Sequence, residues 1–116
     1  MPDLIVIEAL ELSARVGVPD EERAQPQRLT AHVVLEPRRG FQNLEDDLTK
    51  TVDYFEAARA IQTEAGARPR RLIETLAEDL AGMLLGRFAV RAVEIELRKY
   101  ILRDTAFVAV RLRREL

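Results

Sequence analysis

The chain has 116 residues, the size of one domain spanning 1–116, with 47% hydrophobic residues, 33% charged residues and a formal net charge of −2. That balance offers no basic field for nucleic acid or an anionic membrane, and 5% aromatic residues make a poor base-stacking surface. There is no cysteine and a single histidine, His32, so disulfides, thiolate chemistry and a zinc site are not expected, and a cytoplasmic location is.

Leu4–Val16 reads as a strand, rich in Val, Ile and Leu with partial alternation. Its apolar run Leu4–Ile7 is too short for a signal segment and is broken by Glu8 and Glu11, and no later stretch approaches membrane-spanning length. Gly17 and Pro19 open an acidic loop. Arg28–Leu35 is a second strand with Leu29, Ala31, Val33 and Leu35 on one face, expected to pair antiparallel with the first. Pro37, Gly40 and Asn43 punctuate the next connection, and Glu45-Asp46-Asp47 reads as a loop leading into a helix or turn start rather than a cation site. Tyr54–Ala65 is helical, with Phe55, Ala58 and Ile61 predicted on one face and Gly66 and Pro69 ending it. Leu72–Phe88 is the clearest helix, with a stripe of Leu72, Ile73, Leu76, Leu80 and Leu84. Val90–Arg98 alternates Val93, Ile95 and Leu97 against Glu94, Glu96 and Arg98. Thr105–Arg113 is a fourth strand with Val108, Val110 and Leu112 on one face. This ββααββ order predicts an α+β fold: a four-stranded antiparallel sheet with two helices on one face. Such a sheet keeps two open edges, and Phe107 and Ala109 make its second face semi-apolar, so self-association is expected.

Several residues could carry chemistry, though each has an ordinary reading alone. Glu74, in the first turn of the second helix, complements the helix dipole, which stabilises by about 0.3–1 kcal/mol. Glu22 is a loop acid with Glu21 beside it, and Tyr54 is an amphipathic helix residue. Lys99 is one of two lysines against sixteen arginines. A partly buried lysine can release its proton, whereas arginine effectively cannot, so a lysine in this arginine-rich chain stands out.

Together the order and spacing are more specific. Gly17-Val18-Pro19-Asp20-Glu21-Glu22-Arg23 with Gln27, Thr51-Val52-Asp53-Tyr54, Leu72-Ile73-Glu74-Thr75-Leu76-Ala77-Glu78 and Lys99 resemble the dihydroneopterin aldolase family of folate biosynthesis over nearly the whole chain. The resemblance implies the tunnelling fold, in which subunits join their sheets into a barrel, as a tetramer or a stacked octamer. It implies a pterin substrate bound at a subunit boundary, without cofactor or metal. It also implies roles. Glu74 grips the pterin ring, since a carboxylate accepts two parallel bonds from an amino and ring N–H edge. Leu72, Ile73, Val52 and Asp53 line the pocket. Lys99 acts as general acid, Tyr54 moves a proton through water, and Glu22 orients Lys99 and contacts the substrate tail. Tyr100 stands where the family usually has proline after the lysine; the sister dihydroneopterin triphosphate epimerase family also lacks that proline. Epimerisation, and a catalytically idle pterin-binding or assembly subunit, therefore stand as alternative readings.

Overall fold

The computed structural model describes residues 2–116. Its elements are β1 (Ile5–Ala14), a short helix α1 (Asp20–Arg23), β2 (Gln27–Pro37), α2 (Tyr54–Gly66), α3 (Ile73–Arg87), β3 (Val90–Lys99) and β4 (Val108–Glu115). The strands form one antiparallel sheet in the order β1-β2-β3-β4, with α2 against β1 and α3 against β3 and β4. The expected α+β sheet with both helices on one face is what forms.

Strand pleating decides which residues meet the helices. Leu29, Ala31, Val33 and Leu35 of β2 and Val93, Ile95 and Leu97 of β3 are all buried beneath them. β1 alternates only partially because it carries a bulge: its register shifts between Ile7 and Leu10, with Ala9 at φ 55°. The inserted residue returns Leu10, Leu12 and Ala14 to the side already taken by Ile5 and Ile7. α3 lays Ile73, Leu76, Leu80 and Leu84 into the core as expected, but Leu72 is its N-cap residue and is 45% exposed.

Several boundaries and one face differ from the sequence reading. The acidic loop holds the helical turn α1, and β4 starts at Val108, because residues 103–106 form the turn of the β3–β4 hairpin. Val16 lies beyond β1 and instead makes an isolated parallel bridge with Arg70. On α2 the buried face is Ile61 with Ala57, Ala60 and Ala65, whose small side chains let the helix sit close to β1, while Phe55 is exposed with the Arg59 guanidinium 5.1 Å from its ring centroid. Glu45-Asp46-Asp47 precedes a 3-10 turn at Leu48–Lys50, whose start Asp47 caps.

The face away from the helices is a lattice of ion pairs. Glu96 is buried, opposite His32 on β2 and Arg111 on β4, and bonds both Arg98 and Arg111. The Arg98 guanidinium, and after it that of Arg111, holds the Glu96 carboxyl below the usual carboxylate range. Glu36 pairs with Arg91 and Arg113 on the same face.

Candidate active site

The pleat that buries Val93, Ile95 and Leu97 carries Lys99 to the same side, at the end of β3 where the core gives way to the loop after β1. Lys99 is only 9% exposed. Its Nζ lies 2.5 Å from Glu22 Oε2 and donates to the Val16 carbonyl at 3.3 Å. A half-buried carboxylate and a backbone oxygen therefore hold a nearly buried ammonium in one place. Gln27 Nε2 donates to the same Val16 carbonyl at 2.6 Å.

The short helix explains why Glu22, rather than Glu21, reaches Lys99. One turn of helix turns Glu21 to solvent and Glu22 inward. Arg23 fixes that turn by donating to the Gly17 and Val18 carbonyls at 2.8 and 2.7 Å and by pairing with Asp20. Gly17 supplies the space: a Cβ built there would lie 2.6 Å from Glu22 Cγ and closer still to its carboxyl group. Gly17→Ala is accordingly expected to push Glu22 off Lys99 and lower turnover by roughly tenfold to hundredfold, since catalysis tolerates little misplacement. Steady-state kinetics on the folded variant checks this, and wild-type kcat would mean that the seat of Glu22 is dispensable.

The start of α3 is brought to the same place through backbone bonds. Arg70 N donates to the Arg15 carbonyl at 2.9 Å and Gly17 N donates to the Arg70 carbonyl at 3.0 Å. Three residues later α3 begins, with Ile73 buried and Glu74 exposed in its first turn. Leu72 offers no side-chain cap, so the first N–H groups of this helix are left to a ligand or solvent.

Tyr54 is elsewhere. The C-terminal end of α2 docks on the Lys99 end of the sheet: Gln62 Nε2 donates to the Glu11 carbonyl at 3.1 Å, and a Cβ at Gly66 would lie 3.6 Å from the Ser13 carbonyl. At about 1.5 Å per residue the helix spans roughly 20 Å, which puts its first residue at the opposite end of the sheet. Tyr54 is 64% exposed there. Beside it, Val52 is buried in the core, and Asp53 Oδ1 accepts from Phe55 N and Glu56 N as the N-cap of α2. Their contribution to a ligand is left to backbone groups and Asp53 Oδ2. Thus Glu22, Lys99 and the helix turn bearing Leu72, Ile73 and Glu74 gather at one end of the chain, and Val52, Asp53 and Tyr54 at the other.

Tyr100 alternates to the face away from Lys99. Its hydroxyl lies 2.9 Å from Thr30 Oγ1, its ring meets Phe107 edge-on at 6.2 Å, and the Arg28 guanidinium lies 5.0 Å from its centroid. Among the described residues no group of three or more His, Cys, Asp or Glu residues could hold a metal ion, and no helix is long and apolar enough to cross a membrane. What the sequence does not flag is Arg70, one arginine among sixteen, and the Val16 carbonyl, a backbone atom that no motif marks.

Residues 5–113 match the family model described as FolB, dihydroneopterin aldolase. The chain belongs to the dihydroneopterin aldolase family. The dihydroneopterin aldolase of Bacillus subtilis (strain 168) is 33% identical over 86 residues, covering 74% of this chain and 72% of that protein. The crystal structure of the E. coli dihydroneopterin aldolase in complex with neopterin superimposes with a TM-score of 0.86 at 27% identity, covering 97% of this chain and 98% of that one. That of the Burkholderia thailendensis dihydroneopterin aldolase bound to guanine has a TM-score of 0.81 at 25% identity, covering 98% and 91%. The ββααββ sheet described above is thus the tunnelling fold of this family.

Proposed function

We propose that the chain is a 7,8-dihydroneopterin aldolase, cleaving the trihydroxypropyl side chain to 6-hydroxymethyl-7,8-dihydropterin and glycolaldehyde. The observation that carries this reading is the Lys99–Glu22 ion pair at 2.5 Å, set beside the helix start that bears Glu74. A retro-aldol reaction needs a sink for the electrons of the broken C–C bond. In dihydroneopterin the ring C=N bond, conjugated with the side chain, is that sink, so the protein has only to position the substrate and move protons.

In this reading Glu74 anchors the ring, accepting from its amino and N–H edge, while the free N–H groups at the start of α3 meet the ring carbonyl. Guanine, named in the Burkholderia structure, presents the same amino, N–H and carbonyl edge, and neopterin, named in the E. coli structure, carries the whole substrate skeleton. Lys99 donates a proton toward the ring nitrogen as the bond breaks, and Glu22 holds it there. Tyr54 works through water to take the side-chain hydroxyl proton as glycolaldehyde leaves and to return one to the enol carbon that stays on the ring, while the ring nitrogen gives its proton back to Lys99 and the C=N bond re-forms.

Because Tyr54 lies a helix length from Lys99 within one chain, the tyrosine of this site comes from a neighbouring subunit. The open edges of β1 and β4 supply the means: joining β1 of one copy to β4 of the next closes the sheets into a barrel, as a tetramer or a stacked octamer. The ion-paired face would then line its interior.

Epimerisation at the side-chain carbon shares the first half of this reaction, and Tyr100 after Lys99 favours keeping it in view as a side activity. Incubating the pure protein with 7,8-dihydroneopterin, with and without a chelator, and separating the products tests all of this. Glycolaldehyde and hydroxymethyldihydropterin, formed equally in both samples, are expected. Formation of the epimer alone refutes aldolase as the main activity, no product at all points to an idle pterin-binding subunit, and loss in chelator that a divalent ion restores refutes the metal-free course.

A further inference from the structure

We propose that Arg70 is a positioning residue for the Lys99–Glu22 pair. Its guanidinium is buried, yet each of its three nitrogens donates a hydrogen bond. Nε donates to Asp79 Oδ2 on α3 and Nη2 to Glu64 Oε2 on α2, both at 2.8 Å. Nη1 donates to the carbonyls of Glu64 at 3.3 Å and Arg68 at 3.2 Å, at the end of α2. The planar fork of five donors thereby clamps the end of one helix to the first turns of the next, which a lysine's single charge could not span.

The clamp fixes the residue's own backbone, and that backbone carries the site. The Arg70 N–H holds the Arg15 carbonyl and the Arg70 carbonyl holds the Gly17 N–H, leaving Val16 pinned between them in a parallel bridge. Val16 is the residue whose carbonyl accepts from Lys99 Nζ, and Gly17 is the surface on which Glu22 packs. Without this bridge the segment after β1 has no sheet partner, since β1 ends at Ala14. The guanidinium therefore acts on Lys99 and Glu22 through two backbone hydrogen bonds without touching either. The rest of α3 is held independently by Leu76, Leu80 and Leu84 in the core, so the ring-binding turn at Glu74 depends on Arg70 much less than the Lys99 seat does.

The catalytic consequence rests on the aldolase reading; the positioning itself does not. Arg70→Met keeps the length of the side chain, and Arg68, which already pairs with both Asp79 and Glu64, keeps those carboxylates partnered. Arg70→Met removes one partner from a buried ion network, which lowers stability, but Glu64 and Asp79 are each about a quarter exposed and stay paired with Arg68, so the melting temperature is expected to fall by about 5–15 °C with the fold retained. Two further readouts are compared. The chain has two lysines, so mass spectrometry after trace amine labelling gives the reactivity of Lys99 against Lys50 as an internal standard. Release of the Val16 seat is expected to raise that ratio by at least about fivefold through local opening. On dihydroneopterin, kcat is expected to fall roughly tenfold to hundredfold while the pterin Kd stays within about threefold. An unchanged labelling ratio, or an unchanged kcat in an active enzyme, overturns the proposal. A wild-type protein without turnover sinks the aldolase reading instead, and the labelling ratio still decides the role of Arg70. If Arg70→Met does not fold, Asp79→Asn, which removes one of the two carboxylates gripping the guanidinium, is read by the same two criteria.

Discussion

Lys99→Ala is expected to abolish most turnover while leaving the pterin bound, and Glu74→Ala to do the reverse. Lys99 is the nearly buried ammonium against Glu22, and in the proposed reaction it supplies a proton as the C–C bond breaks. Removing a positioned general acid lowers kcat by roughly 10²–10⁴. The variant leaves the buried Glu22 Oε2 without its cation, but the Glu22 side chain as a whole is 22% exposed, so the fold is expected to survive at some cost in stability. Glu74 has no bond to Lys99, and its place is set by the packing of α3. Its loss removes a charged hydrogen bond from the ring, worth about 1.5–3 kcal/mol, or roughly tenfold to 150-fold in Kd. Fluorescence quenching by a pterin measures the binding of both variants, and rapid product analysis measures their turnover. Equal loss of binding in the two contradicts the separate roles.

Two inactive variants, Tyr54→Phe and Lys99→Ala, are expected to restore activity to one another when mixed under conditions that allow subunit exchange. Within a chain the tyrosine and the lysine stand at opposite ends of the sheet, about a helix length apart. A site that uses both must draw them from two copies. In a mixed oligomer some boundaries pair an intact Tyr54 from one chain with an intact Lys99 from its neighbour, and those boundaries turn over substrate. With random mixing about a quarter of the boundaries are intact, the fraction of wild-type activity expected if boundaries work independently. Native mass spectrometry confirms that hybrids formed. A mixture that stays dead although hybrids are present rules out this composite site, as does an active monomer at working concentration.

The strands and helices were legible in the sequence because each buries one side, and alternation or helical spacing is the direct record of that. The misreadings came where the record is ambiguous. Phe55 reads as core because it is large and apolar at helical spacing, but the buried face is Ile61 with Ala57, Ala60 and Ala65, three alanines whose small size allows close approach. The bulge at Ala9 appeared in the sequence only as imperfect alternation, since one inserted residue changes the phase without changing composition. Glu21 and Glu22 were indistinguishable by residue type, and it took the turn of α1 to send one outward and the other to Lys99.

Residue types and their order carried the family resemblance, and with it the chemistry it implies: a lysine where arginine is otherwise used, carboxylates after a glycine and in a helix's first turn, and a tyrosine at the start of a helix. Those follow from the side chains' own proton-transfer and hydrogen-bonding capacities, which exist before folding. Which of them meet was decided by the tertiary structure alone. Val16 offers a carbonyl that every residue possesses, and Arg70 is one of many arginines, so neither is marked by its identity. Val16 reaches Lys99, and Arg70 reaches Val16, only because the β1 exit and the α2–α3 turn are hydrogen-bonded side by side, a contact between residues more than fifty positions apart in the chain.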